Sequence, residues 1–255
     1  MYIQEISLEI NSGVDIVLIE DQFDILMSHY RGSGQTQGKI ESQYTSGNKI
    51  ISLPYTHEDE SLHKNYNNRY VNRQTLKIEE LCASKLQFST VGKSYHDYES
   101  ACKCAKPAFY ILITNYLSIS SPVKCGNCYM PVPLYKLPEY YDYGYMPILS
   151  WESNYISCDT LQMNSEVGER WGLNQMQNFD SSLSKQGREI CKKIEELTNT
   201  PTYYYLHNYR KIKGDQLKTP CPSCNKKWSL KKQLHSVFDF KCDYCRLVSS
   251  VSPNS

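Results

Sequence analysis

The chain has 255 residues, a formal net charge of +1 and 40% hydrophobic residues. That is enough chain to bury a core, and too little net charge to declare a polyanionic partner by itself. Met1 to Ile10 lack the basic start and apolar stretch of a secretory signal. The most apolar run, Ala108 to Leu117, is far shorter than the roughly eighteen residues of a membrane span, so the expectation is a cytoplasmic protein with no membrane contact.

In chain order, residues 1–92 read as six elements. Ile6, Leu8 and Ile10 alternate as a strand, and Ile16, Ile19, Phe23, Leu26 and Tyr30 follow at helical spacing until Gly32 and Gly34. Ile40 to Thr45 and Lys49 to Leu53 flank Ser46-Gly47-Asn48 as a hairpin. A helical pattern after Pro54 carries Leu62, Tyr66, Tyr70, Leu76 and Leu81, with Asn67 and Asn68 placed to break it, and Leu86, Phe88 and Thr90 alternate as a last strand. The order βαββαβ predicts a ferredoxin-like N-terminal domain over 1–92 within an α+β protein.

Residues 93–200 form the expected central region. Cys102-Lys-Cys104 and Cys125-Gly-Asn-Cys128 flank a predicted strand, Pro107 to Leu117. Two thiol pairs at such turns supply the four soft ligands of a tetrahedral Zn²⁺. Met130 to Pro138 holds three prolines and so cannot be helix interior, and Tyr140-Tyr141-Asp-Tyr143-Gly-Tyr145 follows. The chain has 22 Tyr against six Phe and three Trp. Such a surplus of amphipathic rings points to half-buried rims, and Tyr140, Tyr141, Tyr143 and Tyr145 are the candidate partner platform; a packed connector is the plainer alternative. Helices are predicted over Leu149 to Met163, over Glu166 to Met176, and from a Ser184 cap through Ile190, Ile194 and Leu197 to Asn199.

Residues 201–255 begin with a β-like Thr202 to Leu206 and a basic linker, Arg210 to Gly214. They end in Cys221-Pro-Ser-Cys224 and Cys242-Asp-Tyr-Cys245, the C-x₂-C-x₁₇-C-x₂-C spacing of a zinc ribbon. Two structural Zn²⁺ sites are therefore expected, each closed by four protein thiolates. Eleven cysteines, an odd number, fit metal thiolates better than disulfides, and the remaining Cys82, Cys158 and Cys191 read as small buried hydrophobes. Pro201 to Ser255 carry ten Lys and Arg against three Asp, or +7, which leaves −6 on residues 1–200. Lys226, Lys227, Lys231 and Lys232 with Trp228 are the candidate nucleic-acid contacts.

Catalytic patterns are missing. Pro220-Cys221-x-x-Cys224 matches half of a zinc-deaminase signature, but no H-x-E occurs, since His57 is followed directly by Glu58. Neither a P-loop nor a G-x-G-x-x-G occurs. The expectation is a protein without enzymatic activity.

Leu53-Pro-Tyr-Thr56, Tyr66-Asn-Asn-Arg-Tyr70, the two central cysteine pairs, Pro131-Val-Pro-Leu-Tyr-Lys-Leu-Pro138, Leu149-Ser-Trp151, Gly168-Glu-Arg170, Pro201-Thr-Tyr-Tyr-Tyr205 and the closing ribbon together resemble the bacterial DUF2310 family of zinc-ribbon-containing proteins. The resemblance runs from about Leu53 onward. It implies metal ligation by Cys102, Cys104, Cys125, Cys128, Cys221, Cys224, Cys242 and Cys245. It also implies the nucleic-acid binding that labels the family, and, from gene neighbourhoods beside polymorphic toxins, an immunity role for some members. No catalytic residue transfers. The leading expectation is a zinc-containing immunity protein that covers a toxin domain's active site; the alternative is nucleic-acid binding through the basic ribbon.

Overall fold

The computed structural model of the chain describes residues 1–95, 100–140, 144–209 and 216–252. The basic linker and the expected platform residues Tyr141 and Tyr143 lie outside them. The chain packs as two compact units, the first comprising Met1–Ala101, Ile119–Ser121 and Pro131–Met146, and the second Cys102–Ser118, Pro122–Met130 and Pro147–Ser255.

The first unit contains β1 (Tyr2–Glu9), α1 (Ile16–Gly32), β2 (Gln37–Ser46), β3 (Lys49–Thr56), α2 (Arg69–Cys82) and β4 (Gln87–Lys93). These six elements are mixed as the alternation predicts. The strands form one sheet in the order β2-β3-β1-β4, every pair antiparallel. Period-2 alternation sends Ile6 and Leu8 of β1 and Ile50 of β3 to one face, where they meet Ile19, Phe23, Leu26 and Tyr30 of α1 and Val71 and Ile78 of α2. Asp15 starts α1 by accepting the Val17 N–H, and Asn68 starts α2 by accepting those of Tyr70 and Val71, each at 3.0 Å. The helical pattern after Pro54 is thus broken at Asn67 and Asn68, the break the sequence offers, and α2 starts beyond it. The buried stripe of α2 is Val71, Gln74, Ile78 and Cys82, whereas Leu76, expected in it, faces solvent.

The proline-rich stretch belongs to this unit. Tyr135 is buried and its hydroxyl bonds Glu58 Oε2 at 2.6 Å and Ser61 Oγ at 2.9 Å, while Lys136 Nζ reaches Glu58 Oε1 at 2.6 Å. The proline-rich segment of the family-like pattern is thus tied by a polar network to the loop that follows β3. Tyr140 and Tyr145 are buried as well, so the expected exposed platform is corrected at both. A Tyr ring with a satisfied hydroxyl, such as that of Tyr145 on the Leu137 carbonyl, is a core residue.

The second unit holds a six-stranded sheet in the order β6 (Val123–Cys125), β5 (Tyr110–Leu112), β7 (Thr202–Tyr205), β10 (Leu247–Ser249), β9 (Phe238–Cys242) and β8 (Ser229–Leu234). β7 lies parallel to both of its neighbours, and the other pairs are antiparallel. Strands from the expected central region and from the expected ribbon domain thus share one sheet. Residues of the expected 93–200 and 201–255 domains therefore pack in one compact unit. The predicted strand from Pro107 to Leu117 shrinks to β5, because Asn115 opens a turn, accepting the Leu117 N–H at 2.9 Å, and Asp159 takes the Tyr116 N–H at 2.8 Å.

The helices of this region are α3 (Met146–Asn164), α4 (Glu169–Gln177) and α5 (Ser182–Thr198). Ser181, not Ser184, caps α5, its hydroxyl accepting the Ser184 N–H at 3.0 Å. Tyr203 of β7 points to the side of Ile111, Phe238 and Val248. Tyr204 points the other way, to Trp151 and α5. At Gly187 of α5 a Cβ would stand 2.2 Å from the Tyr204 ring and 2.8 Å from Trp151 Nε1, so only glycine lets the helix lie this close to the strand. Much of the Tyr surplus is spent inside: Tyr30, Tyr110, Tyr155, Tyr203 and Tyr204 are all buried.

Candidate metal centres

Three C-x-x-C turns in the second unit share one backbone design. At the first, the Cys125 N–H donates to Met130 O at 2.9 Å and the Tyr129 N–H donates back to Cys125 O at 2.8 Å. At the second, the Cys221 N–H donates to Lys226 O and the Asn225 N–H to Cys221 O, both at 2.9 Å. The third runs from Cys242 to Cys245. In all three the residue after the second cysteine is left-handed: Tyr129, Asn225 and Arg246 have φ of 63°, 58° and 52°. That unfavoured conformation turns both thiols of each pair to one side. Gly126 is fixed by its neighbour, since a Cβ there would lie 2.4 Å from the Phe109 ring.

The structure brings together the eight thiols that spacing selects, as two groups: Cys102, Cys104, Cys125 and Cys128, and Cys221, Cys224, Cys242 and Cys245. Within each group all ligand atoms lie within 4.8 Å of one another. Cys102 and Cys128 Sγ are 3.6 Å apart, and Cys224 and Cys242 Sγ are 3.7 Å apart. A tetrahedron with metal–sulfur bonds of about 2.3 Å has edges of about 3.8 Å, so both donor sets fit a metal ion. Backbone N–H groups already favour the thiolates. That of Lys226 holds the Cys224 thiol down at about 7, whereas burial pushes Cys221 up to about 12. Burial opposes ionisation of Cys125 too, but the N–H groups of Cys128 and Asn127 outweigh it and lower that thiol.

The hairpin between β8 and β9 reaches the first group. His235 Nε2 lies 2.8 Å from Gly126 O, and its ring stacks on Tyr129 with centroids 5.1 Å apart. Cys82, Cys158 and Cys191 are buried, as expected of small hydrophobes.

Of the candidate nucleic-acid contacts, Lys226, Lys227, Lys231 and Lys232 are exposed. Lys227, Lys231 and Lys232 meet no carboxylate among the described residues, and Lys226 Nζ sits 4.6 Å from the centroid of Tyr244, which is 79% exposed. Trp228 is different. It is buried, stacks on Phe240 and donates to Thr219 O at 3.0 Å, so it is core and not a stacking platform. The sequence places Tyr244 and Arg246 among the ribbon's aromatics and cations; the structure displays the Tyr244 ring and commits Arg246 to an ion pair with Glu195 of α5, a partner that sequence reasoning missed. The position of Tyr244 and Arg246 inside and just after a C-x-x-C pair was the available signal.

Among the described residues no helix is long and apolar enough to cross a membrane. The fold and its thiol groups define a mixed α+β protein with two four-cysteine sites able to hold metal ions. Residues 104–207 match the domain of unknown function DUF2310, residues 1–92 match DUF8589 and residues 210–255 match DUF8594, both likewise described as domains of unknown function. Two Haemophilus influenzae proteins, each described as uncharacterized, are 37% identical to the chain. One aligns over 201 residues, 77% of this chain and 76% of its own length, and the other over 171 residues, 66% and 82%. The chain belongs to this DUF2310-containing family. No solved structure matches it.

Proposed function

We propose that the chain is a non-catalytic cytoplasmic binding protein, held together by two structural Zn²⁺ ions, that takes nucleic acid on its C-terminal ribbon. Four thiolates at each ion leave no open position for a water or substrate, which supports a structural metal. The observation that carries the ligand class is the set of exposed lysines, Lys226, Lys227, Lys231 and Lys232, the first of which lies 4.6 Å from the displayed Tyr244 ring. Cations unclaimed by carboxylates next to an exposed aromatic are what a single strand needs, phosphates on the former and bases on the latter. The N-terminal unit, with its β2-β3-β1-β4 order, is read as a ferredoxin-like support.

The test is binding of a fluorescent single-stranded oligonucleotide as a function of salt. Replacing all four lysines by alanine is expected to weaken binding and to reduce the slope of log K against log salt by about 3. An unchanged slope sinks this reading.

Immunity towards a toxin domain is the second reading. The −6 carried by residues 1–200 and the 59% exposed Trp171 support a protein partner, since exposed Trp is the residue type most enriched at interface hot spots. Affinity capture from native lysate decides between them. A stoichiometric protein partner that survives nuclease favours immunity; protein lost on digestion, with nucleic acid recovered, favours the ribbon.

A further inference from the structure

Arg188 of α5 is a cation held in place but used by neither metal centre. Its guanidinium carbon lies 3.4 Å from the centroid of the Phe179 ring, and its Nε donates to Ser184 O at 3.3 Å, so the group is held in place from two sides. Among the described residues no carboxylate is within ion-pair distance of it, although Asp180 and Glu189 are near enough to favour its charge. A guanidinium fixed in this way has already lost the conformational freedom that binding would otherwise cost.

The group lines a cleft of about 520 Å³ between α5 and the third C-x-x-C turn. Arg188, Lys192 and Glu195 come from the helix, Thr202 from the start of β7, and Asp243, Tyr244, Cys245 and Arg246 from the turn. Both carboxylates here are taken. Glu195 is held by Arg246 through two bonds of 2.9 Å, and Asp243 by Lys241 and the Tyr203 hydroxyl. The Cys245 sulfur forms the back wall, with Arg188, Lys192 and Arg246 around it. Arg188 and Lys192 stand one helical turn apart on α5; Lys192 has a single long, solvent-exposed pair, with Glu196 at 4.0 Å, which a phosphate could displace. The exposed Tyr244 ring closes the cleft on the other side.

We infer that this cleft binds a phosphate monoester joined to a base: Arg188 and Lys192 take the phosphate and Tyr244 takes the base. Its volume falls in the range of small-ligand sites. The forked N–H groups of an arginine match phosphate oxygens, whereas a lone lysine offers only a point charge. Such a group is found in a free mononucleotide and at the phosphorylated end of a strand. The strand version rests on the nucleic-acid reading proposed above; the mononucleotide version does not.

The experiment measures binding of a twelve-nucleotide single strand with a 5′ phosphate, with a 3′ phosphate, and with neither, together with adenosine and cytidine 5′-monophosphates, to the zinc-loaded full chain. Expected is about tenfold tighter binding of one phosphorylated strand than of the bare strand, with the difference erased in both Arg188→Gln and Lys192→Gln. Lys192 is exposed, so its variant leaves folding aside, and zinc content and melting temperature check Arg188→Gln. Tight binding of a mononucleotide that Arg188→Gln abolishes assigns the cleft to free nucleotides. Equal binding of all three strands, with no mononucleotide bound, overturns the cleft but leaves the ribbon reading standing if the four-lysine variant still loses the bare strand. If no strand and no mononucleotide binds, both fall.

Discussion

Glu195 of α5 and Arg246, the left-handed residue after Cys245, form a two-pronged ion pair: Nε to Oε2 and the terminal nitrogen to Oε1, each at 2.9 Å. The pair ties a helix to the last C-x-x-C turn, and Glu195 also accepts the Thr202 N–H at 3.2 Å. The Arg246 guanidinium holds the Glu195 carboxyl below its usual range. Because the folded pKa is depressed, the stabilisation is complete above the ordinary carboxylate value and is lost as pH falls through the folded one. Arg246→Ala should cost about 1 kcal/mol at neutral pH, given that both partners are about one-third exposed. Urea melts at pH 7 of Arg246→Ala, Glu195→Gln and the double variant check this. The two single losses should not add in the double variant, and strict additivity rules the pair out as their cause.

Metal binding and folding should be inseparable in the second unit. Native mass spectrometry is expected to find two zinc ions per chain, and Cys125→Ser should lose one of them and several kcal/mol of stability. Cys82→Ser, in the core of the first unit, should keep both ions. Equal melting temperatures and equal metal content in the two variants would remove the Cys102–Cys128 centre.

Close packing sets a second test. Gly187→Ala places a methyl group 2.2 Å from Tyr204 and 2.8 Å from Trp151 Nε1. Helix propensity alone favours alanine by up to about 1 kcal/mol, but overpacking costs about 1–3 kcal/mol. The variant should therefore melt lower than the parent. A higher melting point would mean that α5 does not approach β7 as described.

His207 supplies a pH dependence of its own. Burial pushes its pKa down to about 4. Its neutral form is the folded one, so its contribution is whole above the unfolded value of about 6.5 and declines as pH falls towards 4, by at most about 1.4 kcal/mol per pH unit. His207→Gln should flatten the loss of stability between pH 6.5 and pH 4.5. An unchanged profile would place the imidazole in solvent.

What the sequence determined by itself is what short-range physics encodes. Alternation over β1 and the 3.6 period of α1 follow from which side chains must leave water. The Ser46-Gly47-Asn48 turn follows from glycine's freedom at a φ of +60°. The eight thiols follow because a metal's donor number and bond lengths restrict spacing to a few patterns.

What only the tertiary structure decided concerns partners far apart in the chain. β6 and β10 are three residues each, too short to show a period, and they exist because β5 and β7 offer them edges. Tyr140, Tyr145 and Tyr204 have the same composition as a rim and lie in the core, because burial of a Tyr ring depends on whether a distant carbonyl or hydroxyl meets its tip. Trp228, expected as a nucleic-acid contact, is buried against Phe240, whereas Tyr244 is displayed. The cleft at Arg188 joins α5 to a turn more than fifty residues later. Loop closure over that distance is governed by the packing of the whole unit, and no local pattern records it.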